Sequence, residues 1–193
     1  MPEQSYCIYL VFSKTGTWLS RALKYFQPSK YVHTSIGFDE TFNEMYSFGR
    51  INPKNPFSGG FVKESLYEGV YKNNPSSECQ IFKVPVTLEQ YEGLKKDIEY
   101  FHSTRDRYRY NFIGLFGVLF NRPIHRKNHY FCSQFVYILL KKHHILDVGK
   151  QPELVQTIDL FELKNKILIY EGLIVDMERK APPSSLININ NSL

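Results

Sequence analysis

Asn128-His-Tyr-Phe-Cys-Ser-Gln-Phe-Val-Tyr-Ile-Leu-Leu140 opens as a polar loop and continues as an apolar run, with a cysteine at the junction. Residues 131–142 have helical spacing, with Phe135, Val136, Leu139 and Leu140 facing inward. A cysteine at a helix start meets unpaired N–H groups and a partial positive charge, which favour thiolate over thiol. The backbone N–H groups of Cys132 and Ser133 are also placed to hold an oxyanion, should that thiolate attack a carbonyl. The plain alternative is a small hydrophobe packed under the helix.

Strands are expected on the N-terminal side of this helix. Tyr6-Cys-Ile-Tyr-Leu-Val-Phe12 is an apolar run rich in β-formers and reads as a buried strand that stops at the turn Ser13-Lys-Thr-Gly16. Thr15 or Thr17 then caps a helix with Leu19, Ala22, Leu23 and Phe26 on one face. Residues 31–38 and 43–48 read as a hairpin. Residues 50–77, punctuated by prolines and glycines, read as a long irregular excursion with a strand at 60–63 and a helical turn at 64–68. A strand is expected at 78–85. Thr87 and Gln90 form a capping box for a helix over 87–102. Residues 112–120 suggest a short buried helix, 158–163 another capped by Thr157, and 167–176 a last strand. Without regular βαβ alternation, this mixture is an α+β fold. One domain is expected over residues 1–178, with a flexible tail at 179–193.

The composition fits that class. The 193 residues are 42% hydrophobic and 22% charged, as in an ordinary globular protein. The net charge of +5 suits anionic substrates or a membrane surface. Its main cluster, residues 105–109, is short and reads as a solvated helix end rather than a nucleic-acid site. Three cysteines, with no basic leader before the first apolar run, suggest free thiols in a reducing cytoplasm. No apolar run is long enough for an integral membrane segment.

A thiolate needs a basic partner, and there are six histidines. His143 and His144 fall in the lysine-rich end of the Cys132 helix and are expected in solvent, and His102 closes its own helix. His125 and His129 precede Cys132 in the loop. His125-x3-His129-x2-Cys132 lacks the further ligands of a structural zinc site, so neither metal nor cofactor is expected. His33 differs because it lies inside a strand, flanked by Val32 and Ile36. The P-loop, G-x-S-x-G and H-E-x-x-H patterns are absent, and no arginine follows Cys132 at phosphatase spacing.

Three segments carry a resemblance: Tyr31-Val-His-Thr-Ser-Ile-Gly, Asn43-Glu-Met-Tyr-Ser-Phe-Gly and Tyr130-Phe-Cys-Ser-Gln-Phe-Val, in that order. Together they resemble the circularly permuted branch of the papain-like NlpC superfamily, which holds YiiX/YaeF-type amidases and lecithin retinol acyltransferase-like relatives. In that branch the histidine strand precedes the cysteine helix, as here. The resemblance spans roughly residues 6–176 and implies a permuted papain-like fold, an antiparallel sheet packed against a helix carrying Cys132 at its N-terminus. It also implies a cysteine peptidase or amidase, with Cys132 as nucleophile and His33 as base. A third polar residue orients the imidazole from the following strand, where Glu44 and Tyr46 share a face. Glu44 is preferred because a carboxylate also stabilises imidazolium. The implied substrate is a peptide, isopeptide or N-acyl amide. The alternatives are an acyltransferase or a non-catalytic member of the same fold binding lipid-like or acidic ligands. Tyr46, Phe48, Phe57, Tyr110 and Phe112 are candidates to line an apolar groove. Oligomeric state is left open.

Overall fold

The computed structural model describes residues 6–15, 29–52 and 58–180. The helix expected between Thr17 and Phe26, Phe57, and the tail from residue 181 lie outside these described residues. Strands β1 (Tyr6–Lys14), β2 (His33–Gly37), β3 (Met45–Arg50) and β4 (Gly59–Glu64) come first. The short helix α1 (Gly69–Lys72) and strand β5 (Glu78–Val86) follow. Helix α2 (Leu88–Ser103), the two-residue strand β6 (Arg109–Tyr110) and helix α3 (Phe112–Leu119) lead to strand β7 (His129–Tyr130). The chain closes with helix α4 (Cys132–Lys142), a 3₁₀ turn at Thr157–Glu162, strand β8 (Ile167–Leu173) and helix α5 (Ile174–Lys180).

Six strands form one antiparallel sheet in the order β4-β3-β2-β1-β5-β8. This is the α+β mixture that the patterning predicts. β1 sits at the centre because Ile8, Leu10, Val11 and Phe12 bury both of its faces. On one face, Leu10, Phe12, Ile36, Phe48 and Phe61 pack against Leu94 and Ile98 of α2 and Phe135, Val136 and Leu139 of α4. The other face carries a smaller cluster around Val11, Met45, Leu66, Cys79 and Ile81. Thr87 and Gln90 cap α2 reciprocally, as the sequence predicts. At its far end α4 is tied to α2 by His143, whose Nε2 lies 2.8 Å from Asp97 Oδ2. That contact corrects the solvent-facing position expected for His143.

Aromatic packing seats α4 on the sheet. Phe48 makes ring contacts with Phe61, Phe101, Tyr108, Tyr130 and Phe135, joining β3 to β4, α2 and both ends of the β7–α4 junction. Such pairs each contribute about 0.5–1.5 kcal/mol beyond the area they bury. This network fixes the start of α4 relative to β2 and β3.

Two further departures concern segments near the site. The strand expected at 60–63 runs one residue further, so Glu64 ends a strand instead of opening a helical turn. The last strand stops at Leu173, and residues 174–180 turn into α5. A parallel pair, β6 with β7, sets Tyr110 opposite Tyr130, two residues before Cys132. Gly59 makes room for this arrangement: a Cβ there would stand 2.5 Å from Tyr110 Cβ. Gly59→Ala is therefore expected to cost about 1–3 kcal/mol through overpacking. That corresponds to a fall in Tm of roughly 2–10 °C, readable by thermal denaturation.

Candidate active site

The site forms where the first turn of α4 meets the start of β2. β2 and β3 are paired only at Ile36–Tyr46 and Gly37–Met45. Beyond those pairs Ser47 Oγ donates to the Thr34 carbonyl at 2.6 Å. Phe131, in extended conformation, caps α4, and Ser133 Oγ donates to Val155 O at 2.8 Å, pinning the helix start. The sulfur of Cys132 then lies 3.8 Å from Val32 O. The His33 ring and the backbone of Thr34 and Ser133 lie close enough to the sulfur to act on its ionisation. The sequence separates Cys132 and His33 by 99 residues, and folding brings them into contact.

His33 Nε2 lies 2.9 Å from Glu64 Oε1. Ser35 Oγ contacts both partners, donating to Glu64 Oε1 and standing 3.3 Å from His33 Nε2. The resulting chain is sulfur, imidazole, carboxylate. Its electrostatics are those of an ion pair. Burial alone pushes the His33 ring toward neutrality. The Glu64 charge and the hydrogen bonds to Cys132 and Glu64 outweigh that burial and hold the imidazolium well above the ordinary histidine range. Burial also opposes the Cys132 thiolate, but the His33 hydrogen bond and charge, with the two backbone donors, bring it below the ordinary cysteine range. Glu64 stays ionised because His33 and Ser35 offset its burial. Cys79, buried without such partners, is pushed up to about 12.

The residues expected beside His33 lie elsewhere. Glu44 is exposed, paired with Lys63 at 2.6 Å, and accepts a hydrogen bond from Tyr46 at 3.3 Å. The carboxylate beside His33 comes from Glu64, one strand further along the sheet. The physical reasons are register and room: the Ile36–Tyr46 pair turns Tyr46, and the parity of Glu44, to the face away from His33. On the face β3 shares with His33 it presents Ser47 and Gly49, and a Cβ on Gly49 would already be 3.7 Å from His33 Cε1. Small residues there let Glu64 reach across from β4.

A cleft of about 640 Å³ opens against this chain. Its wall includes Val32, His33, Glu64, Phe48, Tyr110 and Phe112, with Arg50, Arg105 and Arg109 around it. Of the aromatic candidates, Phe48, Tyr110 and Phe112 line it and Tyr46 does not. His33 keeps 20% of its side chain exposed, whereas Cys132 is only 3% exposed. Tyr110 lies close enough to Cys132 for the two to influence each other's ionisation, and His33 and Tyr110 line the cleft whereas Cys132 does not. Tyr110 is among the aromatics expected at a groove; its closeness to Cys132 depends on the β6–β7 pairing, which leaves no periodic signal in the sequence.

His125 bonds Glu153 at 2.9 Å and His129 bonds the Lys127 carbonyl at 2.7 Å. Among the described residues no three His, Cys, Asp or Glu side chains converge as a metal-ligand group. No helix among them is long and apolar enough to cross a membrane. The chain matches no family model, no curated protein and no solved structure.

Proposed function

We propose that this chain is a thiol hydrolase of the amidase or peptidase type, built on a permuted papain-like fold. The observation that carries the reading is the Cys132–His33–Glu64 chain, with the sulfur at a helix start and the imidazole already paired to it. The histidine strand precedes the cysteine helix, the order found in the permuted branch that the sequence resembles. In the proposed reaction the Cys132 thiolate attacks the carbonyl carbon of an amide or N-acyl bond. The oxyanion lies against the N–H groups at the start of α4, those of Cys132 and Ser133. His33 imidazolium gives its proton to the leaving amine, and the C–N bond breaks to leave a thioester on Cys132. A water molecule, giving its proton to His33, then attacks the thioester. The acid departs and the thiolate–imidazolium pair is restored.

In a variant of this reaction, an amine or alcohol bound in the cleft takes the acyl group in place of water. Both versions share the thioester. Intact-mass analysis after brief exposure to an activated acyl ester tests it. A single acyl adduct is expected, mapping to the peptide containing Cys132. An adduct on Cys7 or Cys79 instead would sink the proposal. Adding a primary amine then distinguishes transfer from hydrolysis by the product formed.

A further inference from the structure

Helix α3 is apolar all round. Phe112, Leu115 and Val118 turn inward onto the core, while Ile113, Phe116 and Leu119 are 51%, 55% and 41% exposed, and the following Phe120 is 72% exposed. This exposure corrects the expectation of a short buried helix. A water-facing helix surface is ordinarily polar, and a contiguous apolar one marks something that covers it. Gly117 lets the chain fold back closely, since a Cβ there would stand 2.5 Å from Arg122 O. A groove of about 390 Å³ results, lined by Phe116, Gly117, Phe120, Arg122 and Ile124.

The charge around this patch identifies its occupant. Residues 105–129 contain six of the chain's 24 basic residues and one of its 19 acidic ones, Asp106. The remainder holds 18 of each, so the whole net charge of +5 falls on the segment that carries α3. The β6–β7 pairing draws the two basic flanks together by setting Arg109 against His129. Arg107, Arg122 and Lys127 are all exposed. Exposed Phe, Ile and Leu with Arg122 beside them, on a segment that carries the chain's whole excess of positive charge, match an acyl layer beneath anionic headgroups, and a phosphodiester chain offers those aliphatic side chains nothing.

We propose that α3 and its basic flanks dock this protein peripherally onto the surface of an anionic phospholipid bilayer. Ile113, Phe116, Leu119 and Phe120 enter the headgroup–acyl boundary, and Arg107, Arg122 and Lys127 meet lipid phosphates. With eight residues, about 12 Å long, α3 is far too short to span a hydrocarbon core of about 30 Å. It lies in the interface. Docking needs only these exposed groups and stands apart from the chemistry proposed at Cys132.

Vesicle co-sedimentation of the full chain tests this. Vesicles of phosphatidylcholine with about 30 mol% phosphatidylglycerol are expected to carry the protein down, and pure phosphatidylcholine vesicles are not. Raised salt weakens the binding. The R107E/R122E/K127E variant is expected to lose about 10²-fold or more in partitioning, and F116E/F120E a similar factor. Because all five side chains are exposed, circular dichroism of both variants should match wild type. K72E/K95E/K96E makes the same change in net charge at exposed positions elsewhere and is expected to keep binding. Cys132→Ala is also expected to bind as wild type does. Equal loss in the Lys72 set would overturn the proposal, leaving only a net-charge effect. It would also be overturned if vesicles failed to bind while single-stranded DNA did, or if light scattering gave a dimer that F116E/F120E dissociates.

Discussion

Cys132→Ala will lower turnover of a reactive acyl substrate by about 10⁴–10⁶-fold, and His33→Ala will come close to it. Residues that act as one nucleophilic unit lose nearly everything together, because a sulfur without its base, or a base without its sulfur, starts no reaction. The two variants separate in pH dependence. In the wild-type chain the Cys132 thiolate forms below the ordinary cysteine range, and His33 stays protonated above the ordinary histidine range. Activity therefore rises on the acid side as Cys132 ionises. It falls on the alkaline side as His33 loses the proton destined for the leaving group. Removing the imidazole takes away the two largest contributions that favour the thiolate, a hydrogen bond and a charge, and leaves the burial that opposes it. Alkylation of Cys132 by iodoacetamide in His33→Ala should thus slow at pH 7, with its midpoint moving above the ordinary cysteine value. Cys79, held up near 12 by burial alone, is the internal reference for an unassisted buried thiol. The measurement is alkylation rate against pH, followed peptide by peptide in a mass spectrometer. If Cys132 titrated identically with and without His33, no thiolate–imidazolium pair would exist.

Much of this geometry was legible in the sequence wherever one side chain reports on one local constraint. The capping pair Thr87 and Gln90, the apolar faces of α2 and α4 and the apolar run of β1 each announce their own element. The position of Cys132 at a helix start is likewise readable from the change of character across Tyr130 and Phe131. Glu64 was not readable in this way. Its place depends on where β4 ends, on β4 lying two strands from β2, and on Ser47 and Gly49 leaving space between. These are three long-range facts that no window of sequence contains. Glu44 had the better local credentials, a carboxylate on the expected strand, yet the Ile36–Tyr46 register sets its parity on the face away from His33, where Lys63 captures it. Helix α3 escaped for the opposite reason. An apolar run of nine residues carries no periodicity to say which side faces water, so burial was the default. The exposed Phe116 and Phe120 become visible only against the packed core.

Glu64→Gln will reduce turnover by about 10²–10⁴-fold, the range expected when the carboxylate of a nucleophile–imidazole–carboxylate chain is neutralised without changing its shape. Glu44→Gln, at an exposed carboxylate salt-bridged to Lys63, will change it less than about twofold, since such surface pairs contribute little. The asymmetry follows from what each carboxylate touches. Glu64 Oε1 stands 2.9 Å from His33 Nε2, and its charge is the largest influence raising the His33 pKa. A glutamine keeps the volume but not the charge, so the burial of His33 is no longer offset and its pKa falls. The amide can also present its NH₂ to Nε2, which favours the neutral ring over the imidazolium. Both effects work in the same direction. With His33 deprotonating earlier, the alkaline limb of the activity profile moves to lower pH. With the imidazolium less populated, the thiolate loses its counter-charge and the acid limb moves up. The active window therefore narrows from both sides, a signature that simple loss of folded protein does not produce. Glu64→Asp, which retains the charge on a shorter arm, should recover part of the width. Profiles for wild type, Glu64→Gln, Glu64→Asp and Glu44→Gln, with folding checked by thermal denaturation, decide the matter. Equal profiles for the two glutamine variants would return the choice of carboxylate to Glu44.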